Sequence, residues 1–451
     1  MLKKFIKKQP VDKWVIDPMK RFISNSTMSG IVLFASALLA MIIANSPLAD
    51  YYFYFWHITF SIGFEPYVIS KDLHHWINDG LMAVFFFVIG LELKREIIGG
   101  ELQNPANAVL PIAAAIGGMV LPALIYYGFN YSEASSGGWG IPMATDIAFA
   151  LGVLYLLGDR VPLSLKIFLT VLAIADDLGA VLVVAFFYTS NINEVSLLTG
   201  ALFLGVLIFA NYIGVRSTLF YGIVGIGGLW TAFLMSGVHA TIAAVLAAFT
   251  IPADVKISAK YYSDRLKDLI WKFQSAETNE VPTVTNEQFH VLAQIQDVTK
   301  NALTPLQRLE HALHPLVAFI IMPVFAFSNA GVVLSSDYLT QMVSPVALGV
   351  SVGLLLGKVL GVVGVVRLFT WFKWGTLPEG MNNHLLWGAG FLAAIGFTMS
   401  LFITGLAFRD NTFILQSKLG ILTASFIASV IGFLIIRMGT TPVIKADSGA
   451  A

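Results

Sequence analysis

Long apolar runs separated by short polar stretches organise the whole chain. Runs near 28–45, 73–93, 107–128, 140–157, 163–188, 195–214, 217–236, 238–251, 316–334, 343–367, 385–407 and 415–437 approach the roughly 20 residues that carry a helix across about 30 Å of hydrocarbon. The pattern predicts about twelve membrane spans, with the run at 238–251 short for a crossing on its own. Lysine and arginine placement tests the count, because cytoplasmic loops collect them. With the N-terminus inside, the alternation gives the cytoplasmic side Lys3 to Arg21, Lys94, Arg95, Arg160, Lys166 and Arg216. It also gives that side the basic residues of 252–314, then Arg367, Lys373, Arg437 and Lys445. The outer loops receive Lys71 and Arg409. This asymmetry predicts an even number of spans with both termini cytoplasmic. The expected division is a basic N-terminus 1–27, membrane segments 28–251 and 315–437, a cytoplasmic loop 252–314 and a tail 438–451.

Two polar stretches differ from the apolar runs around them. Residues 48–70 mix aromatic and β-branched residues beside Gly63, which predicts a short outer hairpin or an interfacial segment. In the long loop, 286–302 has helical apolar spacing, and Pro305 is expected to break the stretch beyond it. Composition agrees with a membrane protein: 57% of the 451 residues are hydrophobic and 12% charged, against about 25% charged in soluble domains. Mean hydropathy is +0.78. A cleaved leader is disfavoured, since apolar spans continue along the chain. The absence of cysteine excludes disulfides and thiolate metal sites. A formal net charge of zero excludes a broadly basic nucleic-acid surface.

Against that apolar background, a few ionisable residues fall at bilayer depth. Asp176 and Asp177 sit mid-way along 163–188, Asp146 near the middle of 140–157 and Lys358 just past the middle of 343–367. A charge there costs about 2.5–3.5 kcal/mol on insertion scales, so it normally has a partner and a task. One lysine leaves two of three aspartates without an opposite charge. A carboxylate in low dielectric then takes up a proton or a cation, and competition between the two is the minimal chemistry of an exchanger. Adjacent helical residues point about 100° apart, so Asp176 and Asp177 cannot share one partner equally.

Two spans read as interrupted. Gly138, Gly140 and Pro142 precede Thr145-Asp146, and Gly388, Gly390 and Gly396 precede Thr398 and Ser400. Broken helices at this depth are tolerated where backbone is buried or lines a cavity. Interruptions in corresponding positions predict an inverted repeat with the site between its halves. Half-helix ends carry partial charge, which Asp146 can offset. In 343–367, Gly349, Gly353, Gly357 and Gly361 form a small-residue stripe suited to close helix contact.

The segments Ala144-Thr145-Asp146-Ile147-Ala148-Phe149-Ala150-Leu151-Gly152 and Ala173-Ile174-Ala175-Asp176-Asp177-Leu178-Gly179-Ala180 resemble the signatures of NhaA-type sodium/proton antiporters. So do Asn78-Asp79-Gly80-Leu81-Met82, Gly90 to Glu96, Ser236 to Thr241, Arg308 to His311, Gly357-Lys358 and Gly396 to Met399. The likeness runs through nearly the whole chain, in order. It implies an all-α polytopic fold of about twelve helices, with inverted repeats, two discontinuous crossing helices and a short outer β-hairpin. It implies that Asp176 and Asp177 bind Na+ or Li+ and protons beside Lys358, with Thr145 and Asp146 supporting the crossing. It implies a pH response drawing on Glu92, Glu96, His239, Arg308, Glu310, His311 and His314, a homodimer through 48–70, and a bacterial inner membrane. No cofactor and no nucleic-acid partner are expected. The loop 252–314 is longer than the family pattern leads one to expect.

Two other functions compete. A sodium-coupled symporter of an organic anion would hold its substrate among carboxylates with one lysine, which is electrostatically poor. An intramembrane aspartyl protease needs two facing carboxylates sharing a proton. However, Leu156-Leu157-Gly158-Asp159 is the nearest approach to its Gly-x-Gly-Asp segment, and Lys358 has no part in that chemistry.

Overall fold

The computed structural model describes residues 17, 19, 22 and 26–440, apart from 65–66, 190–191, 278–282 and 335–336. Most of the basic N-terminal stretch and the tail beyond Thr440 lie outside the described residues. Helices make up nearly all the rest: α1 (Ser26–Ala44), α2 (Ala49–Trp56), α3 (Met82–Gly99), α4 (Pro105–Phe129), α5 (Ile147–Tyr155), α6 (Leu163–Phe187) and α7 (Glu194–Tyr212) come first. Next along the chain are α8 (Thr218–Ser236) and α9 (Ala240–Thr250), then α10 (Ala259–Ser275) and α11 (Asn286–Ala302). The chain closes with α12 (Pro305–Asn329), α13 (Pro345–Trp371), α14 (Asn383–Ala393), α15 (Phe397–Ala407) and α16 (Asn411–Gly439). Among the described residues, ten helices are long and apolar enough to cross a membrane. The chain is therefore a multi-pass helical membrane protein. α3 falls outside that set because Glu92, Lys94, Arg95 and Glu96 crowd its last turns, and α9 because it has 11 residues. The outer surfaces of α6 and α7 expose Phe186, Leu198, Leu202 and Tyr212, as expected where the solvent is lipid.

Residues 48–70 combine a helix with a hairpin. After α2, β1 (Thr59–Phe64) pairs antiparallel with β2 (Tyr67–Asp72), Thr59 facing Asp72 and Phe64 facing Tyr67. Tyr52 of α2 anchors this region, its hydroxyl donating to the Phe327 carbonyl at 2.5 Å.

The long loop holds more structure than its sequence pattern predicts. α10 and α11 pack on one another, with Leu269 fully buried between them. Pro305 starts a helix rather than breaking one. Thr304 caps α12 in a capping box with Gln307, and a proline at the first helical position costs no hydrogen bond because its missing N–H has no partner there.

Glycines set the packing around the centre. A Cβ on Gly357 would lie 2.8 Å from the Pro122 Cα, and one on Gly361 would drive into the Gly117 carbonyl. α13 therefore lies backbone-to-backbone against α4. On the far side α4 packs on α6, and α16 packs on α13 and α14. α1 crosses α5 equally closely, since a Cβ on Gly30 would stand 2.8 Å from the Gly152 Cα.

Candidate functional site

The site begins with two interruptions of helical backbone. A 3-10 segment, Ala134–Met143, runs into extended residues 144–146 before α5 starts. Pro142 offers no N–H, and Ala144 takes φ −80° and ψ 143°. α14 likewise ends at Ala393, and α15 starts after Gly396. Each break frees backbone groups that must bond inside the protein, and the two breaks satisfy one another. The Thr145 hydroxyl donates to the Ala393 carbonyl at 2.8 Å, and the Asp146 N–H to the Ile395 carbonyl at 2.6 Å. Ser400 returns a hydroxyl to the Ile141 carbonyl at 2.7 Å.

Asp146 stands where two helices begin. One carboxylate oxygen accepts the Phe149 N–H at 2.9 Å, capping α5. The other accepts the Thr398 N–H at 3.1 Å, in the first turn of α15, and the Thr398 hydroxyl. Two positive helix ends thus face one negative group. Counting opposite charges alone leaves this carboxylate unpaired. In the fold, backbone and hydroxyl donors satisfy both its oxygens.

Asp176 and Asp177 lie mid-way along α6, both fully buried, as is Lys358 in a wide turn of α13 (Gly353–Lys358). Asp176 Oδ2 accepts from Lys358 Nζ at 2.6 Å and from the Thr145 N–H at 2.7 Å. Lys358 Nζ also donates to the Met143 carbonyl. The helix geometry then turns Asp177 away from the lysine. Among the described residues, neither oxygen of Asp177 nor Oδ1 of Asp176 has a hydrogen-bond partner. Three elements bring Thr145, Asp176, Asp177 and Lys358 together. The resulting arrangement is one neutralised carboxylate beside one uncommitted carboxylate, both fully buried.

A second cluster forms where α3 meets α12. Arg95 bonds Glu310 at 2.5 Å and Glu96 at 2.8 Å. Glu96 also accepts the Glu101 N–H at 3.0 Å. Arg308, His311 and His314 line a groove of about 530 Å³ with Arg95 and Glu310. Glu92 sits one turn before this cluster on α3 and lies within electrostatic reach of both Glu310 and Asp177. Lys94 donates to the Phe249 and Ile251 carbonyls at 2.7 and 2.6 Å, closing the C-terminal end of α9. His239 is not in this group. It precedes α9, at the opposite end from Lys94, and its Nε2 contacts the Tyr188 carbonyl at 3.0 Å.

Several contributors have only a weak trace in the sequence. Ser400 is signalled only as a polar residue after an interruption, and Thr398 lies in a segment of family likeness that implies no role for it. Arg95 lies in the Gly90 to Glu96 segment but is given no role by it, and the Met143 carbonyl carries no side-chain signal at all.

Residues 20–436 match the model of the family described as Na+/H+ antiporter 1. The chain belongs to that family. Among its relatives, the Na(+)/H(+) antiporter NhaA of Oleidesulfovibrio alaskensis is 48% identical over 431 residues, covering 95% of each chain. The Na(+)/H(+) antiporter NhaA 1 of Saccharophagus degradans is 47% identical, over 96% of this chain and 95% of its own. The Na(+)/H(+) antiporter NhaA of Koribacter versatilis is 42% identical, over 97% and 96%. In this member of the Na+/H+ antiporter family, both interruptions, the aspartate pair and Lys358 fall inside the matched residues.

Proposed function

We propose that the protein exchanges Na+, or Li+, for protons across a bacterial inner membrane by alternating access, with Asp176 and Asp177 as the shared binding groups. The observation that carries this reading is the fully buried Asp177 carboxylate, without a hydrogen-bond partner among the described residues, next to an Asp176 already held by Lys358. An isolated carboxylate in low dielectric is stable only when it binds a proton or a cation. Na+ entering on one side displaces the proton; a proton arriving on the other displaces Na+. Asp176 joins the cation when Lys358 releases it, and that exchange of partners links the lysine's own proton to Na+ binding. Thr145 and Asp146 keep the two breaks in register, and Asp146 prevents two helix N-termini from imposing a positive potential on the cation.

The same reading takes α3 and α9 as further spans beside the ten, giving twelve. It takes the two interrupted segments as matching members of an inverted repeat, with both termini in the cytoplasm. The Arg95–Glu310 cluster, with Glu92, Glu96, Arg308, His311 and His314, forms the cytoplasmic mouth and adjusts activity to pH; His239 acts at the outer end. The β1–β2 hairpin joins two copies in a homodimer. An organic-anion symporter fits less well, because the uncommitted group is itself an anion.

Everted membrane vesicles carrying an imposed proton gradient and a pH-sensitive dye test the central claim. Addition of Na+ restores the dye signal in the native protein, and Asp177→Asn abolishes the response. A response retained in that variant removes Asp177 from the site.

A further inference from the structure

The exchange reading makes no use of a second, strongly cationic groove. It measures about 740 Å³ and lies between the α7–α8 connection, the end of α11 and the start of α12. Arg216, Lys256, Lys300 and Arg308 line it, and Asp297 is the one acid among its lining residues. Among the described residues none of these four cations makes an ion pair. Asp297 is occupied in part by Asn301, whose side-chain amide donates to it at 3.1 Å. The four come from separate stretches of chain, so no local sequence pattern assembles them. The fold holds them there: the Lys256 N–H bonds the Asn301 carbonyl at 3.2 Å, and the Leu306 N–H the Pro252 carbonyl at 3.2 Å.

Two further features favour an anion. α8 begins in the groove with Ser217 as its cap, and the first-turn N–H groups of Thr218 and Leu219 have no carbonyl a turn back to bond. A 19-residue helix directs its positive end there as well. Like charges brought together repel, and four cations around a cavity with Asp297 as the one acid leave an excess of positive charge that a bound anion would offset. Two lysines and two arginines match the several oxygens of a phosphate ester better than the single charge of a chloride.

We infer that this groove binds a phosphate-bearing anion, which ties the α10–α11 insertion to the membrane part at α8 and α12. Arg308 also lines the groove of Glu310 and His311, so the bound anion fixes a residue shared with the neighbouring cluster. The inference does not depend on the exchange reading.

Full-length protein in nanodiscs of phosphatidylcholine alone is titrated with inorganic pyrophosphate by calorimetry and thermal unfolding. Saturable binding with a rise in unfolding temperature is expected, together with slower tryptic cleavage at Lys267 and Lys272. Lys256→Gln/Lys300→Gln weakens the affinity at least tenfold while leaving Na+-driven exchange without pyrophosphate unchanged. Nanodiscs containing phosphatidylglycerol separate the sources. Loss of pyrophosphate binding in them assigns the groove to a lipid headgroup, and unchanged binding assigns it to a soluble phosphate; the phosphate site stands in either case. No saturable binding in phosphatidylcholine discs, or equal affinity in the double variant, overturns it.

Discussion

Lys358 and Asp176 meet at 2.6 Å with neither side chain exposed, and under the proposed exchange this pair is where effects on stability and on transport can be told apart. Removing one partner of a buried pair leaves an uncompensated charge and costs about 3–5 kcal/mol, whereas replacing both by uncharged groups is often neutral. Asp176→Asn therefore lowers the unfolding temperature of the detergent-solubilised protein, and Asp176→Asn/Lys358→Met recovers most of the loss without recovering exchange. Strictly additive losses in the double variant would show that the two side chains are not coupled. Asp146 has a different role although it is an equally buried aspartate, because its negative charge answers two helix ends. Asp146→Asn keeps an acceptor for the Phe149 N–H but removes that charge. The expected result is a Na+ half-saturation concentration raised about tenfold, equivalent to about 1.4 kcal/mol, with maximal rate largely kept. An unchanged half-saturation concentration would mean that the helix ends are screened by other means. The residue types and their depth were readable from the sequence, since carboxylates stand out in apolar runs. Which carboxylate was already satisfied was not, because the Thr398 donor to Asp146 lies 252 residues away in the chain.

At the level of whole elements, the hydrophobic pattern foretold most spans because lipid demands a single property over a fixed length. It did less well outside the bilayer. Helix α10 mixes charge and aromatics around one buried face, and only its packing on α11 reveals the role of Leu269. Pro305 is ambiguous in sequence, since the same residue ends one helix and begins another; the Thr304–Gln307 capping box decides the matter. The glycine stripe of α13 was legible as a close-packing surface, while its partner α4 was not. A matched pair of substitutions tests that contact. Gly361→Ala would press a methyl group against the Gly117 carbonyl, whereas a Cβ at Gly364 meets nothing within 4 Å. Overpacking costs about 1–3 kcal/mol, and alanine otherwise favours a helix over glycine by about 1 kcal/mol. Gly361→Ala is thus expected to lower the unfolding temperature and Gly364→Ala to leave it equal or higher. Equal behaviour of the two would mean that α4 and α13 are not held in close contact.

Across the whole molecule, the proposed site of two carboxylates and one lysine makes a prediction for how exchange responds to membrane potential. If Na+ displaces the Asp177 proton and also replaces Lys358 at Asp176, so that the lysine loses its proton to water on that side, two protons move for each Na+. One net positive charge then crosses inward with the protons, and an inside-negative potential drives Na+ out. Each charge is worth about 2.3 kcal/mol per 100 mV, so the effect is large enough to measure. In proteoliposomes with the potential set by valinomycin and K+ gradients, the native protein is expected to accumulate or expel Na+ in response to voltage alone. Without the lysine, and at a pH alkaline enough to keep the freed Asp176 ionised, only the Asp177 proton is displaced, and Lys358→Ala becomes electroneutral, driven by the pH gradient and indifferent to valinomycin. The sign of the pH dependence comes from the same competition. Acidity keeps the carboxylates protonated, so the Na+ half-saturation concentration falls as pH rises, about tenfold per unit for each proton displaced. Its slope against pH is therefore steeper in the native protein than in Lys358→Ala. A Lys358→Ala protein that still follows voltage, with an unaltered slope, would show that the lysine only stabilises the empty site and that the second proton is carried elsewhere.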